Sequence, residues 1–75
     1  SYKRRLGSCD SRKCLSFNWK LILMPIEIID YVVIHELCHI LHFNHSKLFW
    51  KEVSNYCPEY KKQKNWINEN INLFI

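Results

Sequence analysis

Residues 25–42, Pro25-Ile26-Glu27-Ile28-Ile29-Asp30-Tyr31-Val32-Val33-Ile34-His35-Glu36-Leu37-Cys38-His39-Ile40-Leu41-His42, decide how this chain folds. Pro25 fits the first position of a helix, where its missing N–H costs nothing. From Ile26 to His42 the residues are apolar on nearly every side, interrupted by Glu27, Asp30 and His35-Glu36-Leu37-Cys38-His39. A helix that is apolar all round reads as a buried central helix. Asp30, His35, Glu36 and His39 make it too polar to cross a membrane. The expectation is a core helix that carries a polar site.

On a helix, residues i and i+4 share one face, one turn apart. His35 and His39 can therefore grip one metal ion. Glu36, turned by about 100° from His35, can stand beside a water on that ion. This is the H-E-x-x-H pattern, two ligands and a general base. A catalytic zinc needs three protein ligands and an open position. His42 and His45 are the candidates for the third. His42 lies seven residues beyond His35, about 10.5 Å along the axis. Three ligands in a row on a straight helix would approach the ion nearly in line. His45 lies past a helix break and can approach from another direction, so the geometry prefers His45 and leaves His42 at the core edge. With zinc bound, Glu36 would take the proton of the activated water and pass it to a leaving amine. The blander reading is a helix of hydrogen-bonded histidines, or a structural metal with no open position.

Working outward, Phe43-Asn44-His45 reads as the helix end, with Asn44 able to take the left-handed conformation that closes helices. Ser46 is a good N-cap for a second helix, in which Phe49, Trp50, Val53 and Tyr56 recur at helical spacing. Pro58-Glu59 would open a third helix, with Pro at the first position and an acid in the first turn. Its apolar stripe is Tyr60, Trp66, Ile67, Ile71 and Phe74. Upstream, residues 2–24 read as β structure with a turn. Cys14-Leu15-Ser16-Phe17-Asn18-Trp19 alternates apolar and polar, and Gly7-Ser8 and Asp10-Ser11-Arg12-Lys13 carry turn chemistry. A hairpin pairing 3–9 with 14–19 is the simplest account. Leu21-Ile22-Leu23 either extends the strand or turns. The fold class is α+β: an N-terminal β-hairpin, a buried site-bearing helix and two further helices, in one domain over residues 1–75.

A chain of 75 residues buries only about 60% of its unfolded surface, so its stability is marginal and a bound metal would add to it. With 48% apolar and 15% aromatic residues it suits a packed globule and not a disordered segment. The net charge is +4. Its cations are spread over Lys3-Arg4-Arg5, Arg12-Lys13 and Lys61, Lys62 and Lys64, a pattern of solvated faces more than of a nucleic-acid surface. Four cysteines would permit two disulfides. Cys38, however, sits inside the metal motif and reads as a free thiol in the core. A second metal site of Cys9, Cys14, Cys38 and Cys57 would lack any paired C-x-x-C. No secretory signal or membrane span is visible, so the expected compartment is the reducing cytoplasm. The sequon Asn44-His45-Ser46 is then incidental. The chain begins at Ser1 and is expected to be the C-terminal fragment of a longer protein.

Gly7-Ser8-Cys9, Leu15-Ser16-Phe17-Asn18-Trp19-Lys20-Leu21-Ile22-Leu23, the run Ile29–His39, Asn44-His45-Ser46 and Phe49-Trp50 closely resemble the YgjP-like family of predicted zinc metallopeptidases. Cys57-Pro58-Glu59-Tyr60 and Trp66 fit as well, so the resemblance covers nearly the whole chain. It implies a small zincin-like domain, related in outline to SprT-like and WLM proteins. It implies one Zn2+ ion held by His35, His39 and His45, with Glu36 catalytic and a peptide or protein as substrate. Members usually carry an N-terminal β-rich portion, which this chain is expected to lack or to have lost, and most have Trp where Leu6 stands. The His39-to-His45 spacing also matches metzincins, but His42 stands where they have glycine. The only methionine, Met24, precedes the motif. In zincins an edge strand ahead of the motif helix aligns an extended substrate, a part that the hairpin around residues 14–19 would play. Tyr56, Tyr60 and Asn44 are candidate oxyanion helpers, and Asp30 and Glu52 candidate acceptors that orient the imidazoles. The family is also associated with nucleoside-triphosphate pyrophosphatase activity, an alternative for which this chain offers no glycine-rich phosphate loop. A third reading is a non-catalytic zinc-stabilised module that binds nucleic acid or protein. It rests on the basic segments and on the action of SprT-like relatives at DNA.

Overall fold

Two short strands, β1 (Gly7–Cys9) and β2 (Leu15–Phe17), pair antiparallel in the computed structural model, which describes residues 5–74. The register is Gly7 to Phe17, Ser8 to Ser16 and Cys9 to Leu15. Asp10 builds the turn between them. Its Oδ1 accepts from the N–H groups of Arg12 at 2.8 Å and Cys14 at 3.0 Å, the local bonding that makes Asp a turn residue. Lys13 closes the loop at φ 64°, a left-handed conformation that costs a side-chain-bearing residue about 1 kcal/mol.

The hairpin is shorter than the expected pairing of 3–9 with 14–19. Residues 3 and 4 lie outside the described residues, and at the other end Asn18 leaves the ladder. Its Oδ1 accepts from the Lys20 N–H at 2.9 Å and starts a 3-10 helix over Trp19–Leu23. Leu21-Ile22-Leu23 thus neither extends the strand nor forms a simple turn. Only Leu21 is buried there, while Ile22 and Leu23 face solvent. Asn18 also ties this segment back to the chain ahead of β1, donating its N–H to the Leu6 carbonyl at 2.8 Å.

Helix α1 spans Ile26–Leu41. Pro25 is its cap and not its first helical residue. At ψ 148° it is still extended, while its carbonyl accepts from Ile28 at 2.9 Å and Ile29 at 3.1 Å. His42 lies one residue past the helix, as its C-terminal cap. The all-round burial expected of this helix is not realised. Ile28, Tyr31, Val32, Glu36 and Cys38 are buried, but Ile26, Leu37 and Leu41 are exposed. A chain this small has too few other elements to wrap a helix on every side.

Helix α2 (Lys47–Tyr56) begins as expected at Ser46, whose Oγ accepts from the Phe49 N–H at 3.2 Å. Phe49 and Val53 are fully buried, whereas Tyr56 points outward. Asn44 does not take the left-handed conformation; among the described residues Lys13 is the only non-glycine with positive φ. The α1–α2 turn is closed by the Ser46 N–H donating to the Asn44 carbonyl at 2.8 Å instead. Helix α3 (Tyr60–Asn70) starts two residues later than Pro58, after a turn in which the Tyr60 N–H donates to the Cys57 carbonyl at 3.0 Å. Tyr60, Trp66, Ile67, Ile71 and Phe74 pack along the core, the stripe read from the sequence.

The architecture is α+β, a two-stranded hairpin followed by three helices. Helix α1 packs against β1 and against α2 and α3. Leu6, Leu21, Met24, Ile28, Val32 and Phe49 are at the heart of the core. All four cysteines are free thiols, with Cys38 buried among these residues. No helix among the described residues is long and apolar enough to cross a membrane.

Candidate metal centre

Helix α1 holds His35 and His39 one turn apart, and the turn capped by Ser46 carries His45 back over them. Nε2 of His39 lies 3.0 Å from Nε2 of His45, and Nε2 of His45 lies 3.3 Å from Nε2 of His35. One ring nitrogen of each residue falls within 4.8 Å of the other two. Nδ1 of His39 sits 3.2 Å from the His42 carbonyl oxygen. That oxygen can only accept, so Nδ1 carries the proton and Nε2 presents a lone pair. Lone pairs aimed at one another repel unless a cation or a proton lies between them. Nitrogens about 2.0–2.1 Å from one zinc ion in tetrahedral array stand about 3.3–3.4 Å apart. The donor set fits such an ion, and among the described residues it is the one group of its kind.

Aromatic rings form the floor beneath the three imidazoles. Phe49, with no exposed surface, lies 5.0 Å from the His35 ring, 4.4 Å from His39 and 4.9 Å from His45. Trp50 stacks beside His45 at 5.8 Å. Burial, then the charges of His39 and His45, lower the His35 pKa to about 4. Burial lowers that of His45 as well. Both rings therefore stay neutral, the form that binds metal, at ordinary pH.

Glu36 is the only buried charged residue described, 6% exposed. Burial raises its pKa, and the charges of His39 and Arg5 partly oppose the rise. It stands against β1, where a Cβ on Gly7 would meet Glu36 Cγ at 3.0 Å and Oε2 at 3.2 Å. Gly7 is needed there for room and not for its φ, which is not positive.

Two hollows open on the site and share Gly7, His35, Glu36 and His45. The smaller, about 270 Å³, is walled by Arg5, Ser8, Cys9 and Phe43. The larger, about 480 Å³, runs over Tyr31, Trp50 and Ile67 toward Lys64 and Asn68. The strand bordering the site is therefore β1 and not the 14–19 segment, because β1 is the strand that packs on α1.

The structure keeps His42 away from the triad, with its Nε2 3.6 Å from Glu52 Oε1. Glu52 thus faces His42, and Asp30 lies at another hollow with Cys57 and Glu59. Neither acid orients an imidazole of the triad. The groups that do are the His42 carbonyl, on His39, and the Tyr31 hydroxyl, 3.5 Å from Nδ1 of His35. Tyr31 escaped the sequence reading although its i, i+4 relation to His35 was a usable signal. Of the oxyanion candidates, Tyr56, Tyr60 and Asn44 line neither hollow at the triad. Tyr60 is stacked on Trp50 at 5.1 Å.

Residues 1–70 match the family model of the YgjP-like, metallopeptidase domain. No curated protein and no solved structure matches the chain. The family points to a metal-dependent hydrolase with a peptide or protein substrate, and the three histidines form a group that could hold the metal. With the match running over nearly its whole length, the chain belongs to the YgjP-like family of metallopeptidase domains.

Proposed function

We propose that this protein is a zinc-dependent peptidase in which His35, His39 and His45 hold one Zn2+ ion and Glu36 is the general base. The observation that carries this reading is the convergence of three Nε2 atoms, 3.0 and 3.3 Å apart, beside a buried glutamate. A zinc ion held there supplies Lewis acidity and lowers the pKa of a water toward about 7. The chain's own residues supply the rest. The His42 carbonyl and Tyr31 hydroxyl fix the orientation of His39 and His35. Phe49 and Trp50 exclude water from below the imidazoles. Glu36, its pKa raised by burial, accepts a proton from water more readily than an exposed glutamate and delivers it to the leaving amine. The β1 edge, at Ser8 and Cys9 beside the triad, offers backbone groups to an extended peptide.

The test is elemental analysis of the purified protein and of His45→Ala and His42→Ala, joined to peptide hydrolysis by Glu36→Gln. Stoichiometric zinc lost only in His45→Ala, with Glu36→Gln keeping zinc and losing hydrolysis, supports the proposal. Full activity in Glu36→Gln with zinc retained refutes it.

A further inference from the structure

Lys61, Lys64, Asn65 and Asn68 recur at three- and four-residue spacing, so they share one face of α3. That face opens onto a hollow of about 450 Å³ floored by Trp50 and Tyr60. Trp50, Lys64 and Asn68 also line the larger hollow at the triad, so the two hollows lie side by side. No acid lines the outer hollow, and Glu36 is the only acid in the inner one. The acid at the start of α3, Glu59, is engaged by Lys62 at 2.9 Å. Lys64 has no such partner among the described residues; its Nζ rests 4.6 Å above the Trp50 ring. The surface beside the site thus carries two cations without an acid partner among the described residues, and two amides.

We propose that this face of α3 is a substrate subsite that takes a peptide segment bearing a carboxylate, with Lys64 as the specificity-determining cation. The inference rests on the peptidase reading above. Asn65 and Asn68 can donate to and accept from a peptide backbone, as a side-chain amide does. Lys64 and Lys61 attract the carboxylate and penalise a cation at the same place. A nucleotide fits less well, because the Trp50 ring is already engaged by Tyr60 at 5.1 Å, His45 at 5.8 Å and Lys64.

The experiment uses the full chain loaded with zinc and carrying Glu36→Gln, so that binding is read without turnover. Fluorescein-labelled peptides identical except for Glu, Gln or Lys at successive positions, each with a free or amidated C-terminus, are titrated by fluorescence anisotropy. The Glu peptide should bind about fivefold tighter than its Gln counterpart, the ratio an ion pair at an accessible rim supplies. The preference should vanish in Lys64→Gln, return in Lys64→Arg and shrink as salt is raised. A Glu preference that persists in amidated peptides assigns the carboxylate to the side chain, whereas Glu and Gln peptides that bind alike and both weaken on amidation, in a Lys64-dependent way, assign it to the C-terminus; both results uphold the assignment. Equal binding of the Glu, Gln and amidated peptides, a preference that survives Lys64→Gln, or no peptide binding overturns it. So does Lys64-dependent binding of a nucleoside triphosphate in place of the peptide. If the unsubstituted zinc protein fails to cleave peptides bound with this preference, the peptidase reading falls and the subsite stands.

Discussion

Gly7→Ala is the substitution that most directly tests how the hairpin positions Glu36. Carbon atoms in ordinary contact stand about 3.5 Å or more apart. The new Cβ would lie 3.0 Å from Glu36 Cγ, 3.1 Å from Phe17 Cδ1 and 3.2 Å from Glu36 Oε2, an overlap of about 0.5 Å at the closest pair. Phe17 is 43% exposed and its ring can turn away. Glu36 is enclosed and must shift. Overpacking of this kind costs about 2 kcal/mol. Loss of glycine's freedom in the unfolded chain offsets about 0.7 kcal/mol of that. The net expectation is destabilisation by about 1 kcal/mol, a drop in Tm of about 4–8 °C for a domain of this size. In a Glu36→Ala background the two crowding Glu36 atoms are gone, and only the exposed Phe17 ring, which can turn away, remains. The same substitution should then stabilise by about 0.5 kcal/mol, a coupling of about 1.5 kcal/mol. Denaturant unfolding of the four zinc-saturated proteins measures it. A Gly7→Ala cost equal in both backgrounds to within about 0.3 kcal/mol would refute the account of Gly7. On the proposed function, a carboxylate displaced by about 0.5 Å should also lower hydrolysis about tenfold with zinc content unchanged.

Lys13 holds a left-handed conformation at φ 64°, so Lys13→Gly should raise stability by about 0.5–1 kcal/mol; an unchanged denaturation midpoint would count against strain at that turn. Tyr31→Phe removes the hydroxyl 3.5 Å from His35 Nδ1 and should weaken zinc binding about tenfold in a competitive chelator titration, whereas unchanged affinity would mean the contact orients nothing. Acid should destabilise the metal-free protein through His35. Its pKa is about 4 when folded, against 6.5 ordinarily, so between those values the unfolded chain binds the extra proton and stability falls as pH falls. The contribution is fully present above pH 6.5 and gone below 4. His35→Gln should flatten that part of the stability profile, and an unchanged slope would show that other groups produce it.

The sequence by itself determined what short-range geometry controls. His35 and His39 share a face because they stand one helical turn apart, and Ser46 starts α2 because its hydroxyl reaches three residues along its own chain. The apolar spacing of Tyr60, Trp66, Ile67 and Ile71 likewise told which side of α3 meets the core. Asp10 and its neighbours announce a turn, although at Asn18 the alternating pattern reads as strand and hides a side chain that caps the next helix. What only the tertiary structure decided depends on partners far apart along the chain. No pattern shows that Phe49 floors the triad or that β1, through a glycine pressed against Glu36, is the strand at the site. Nor does any show that Glu52 faces His42 and not the imidazoles of the triad. The side chain of Lys64 reaches the site from the third helix, across Trp50, only once α3 has docked on α1. Hydrogen-bonding caps and helical periodicity act within about four residues. Close packing and the field of a distant charge act through space, and residues 50 and 64 become neighbours in space only when the core has closed.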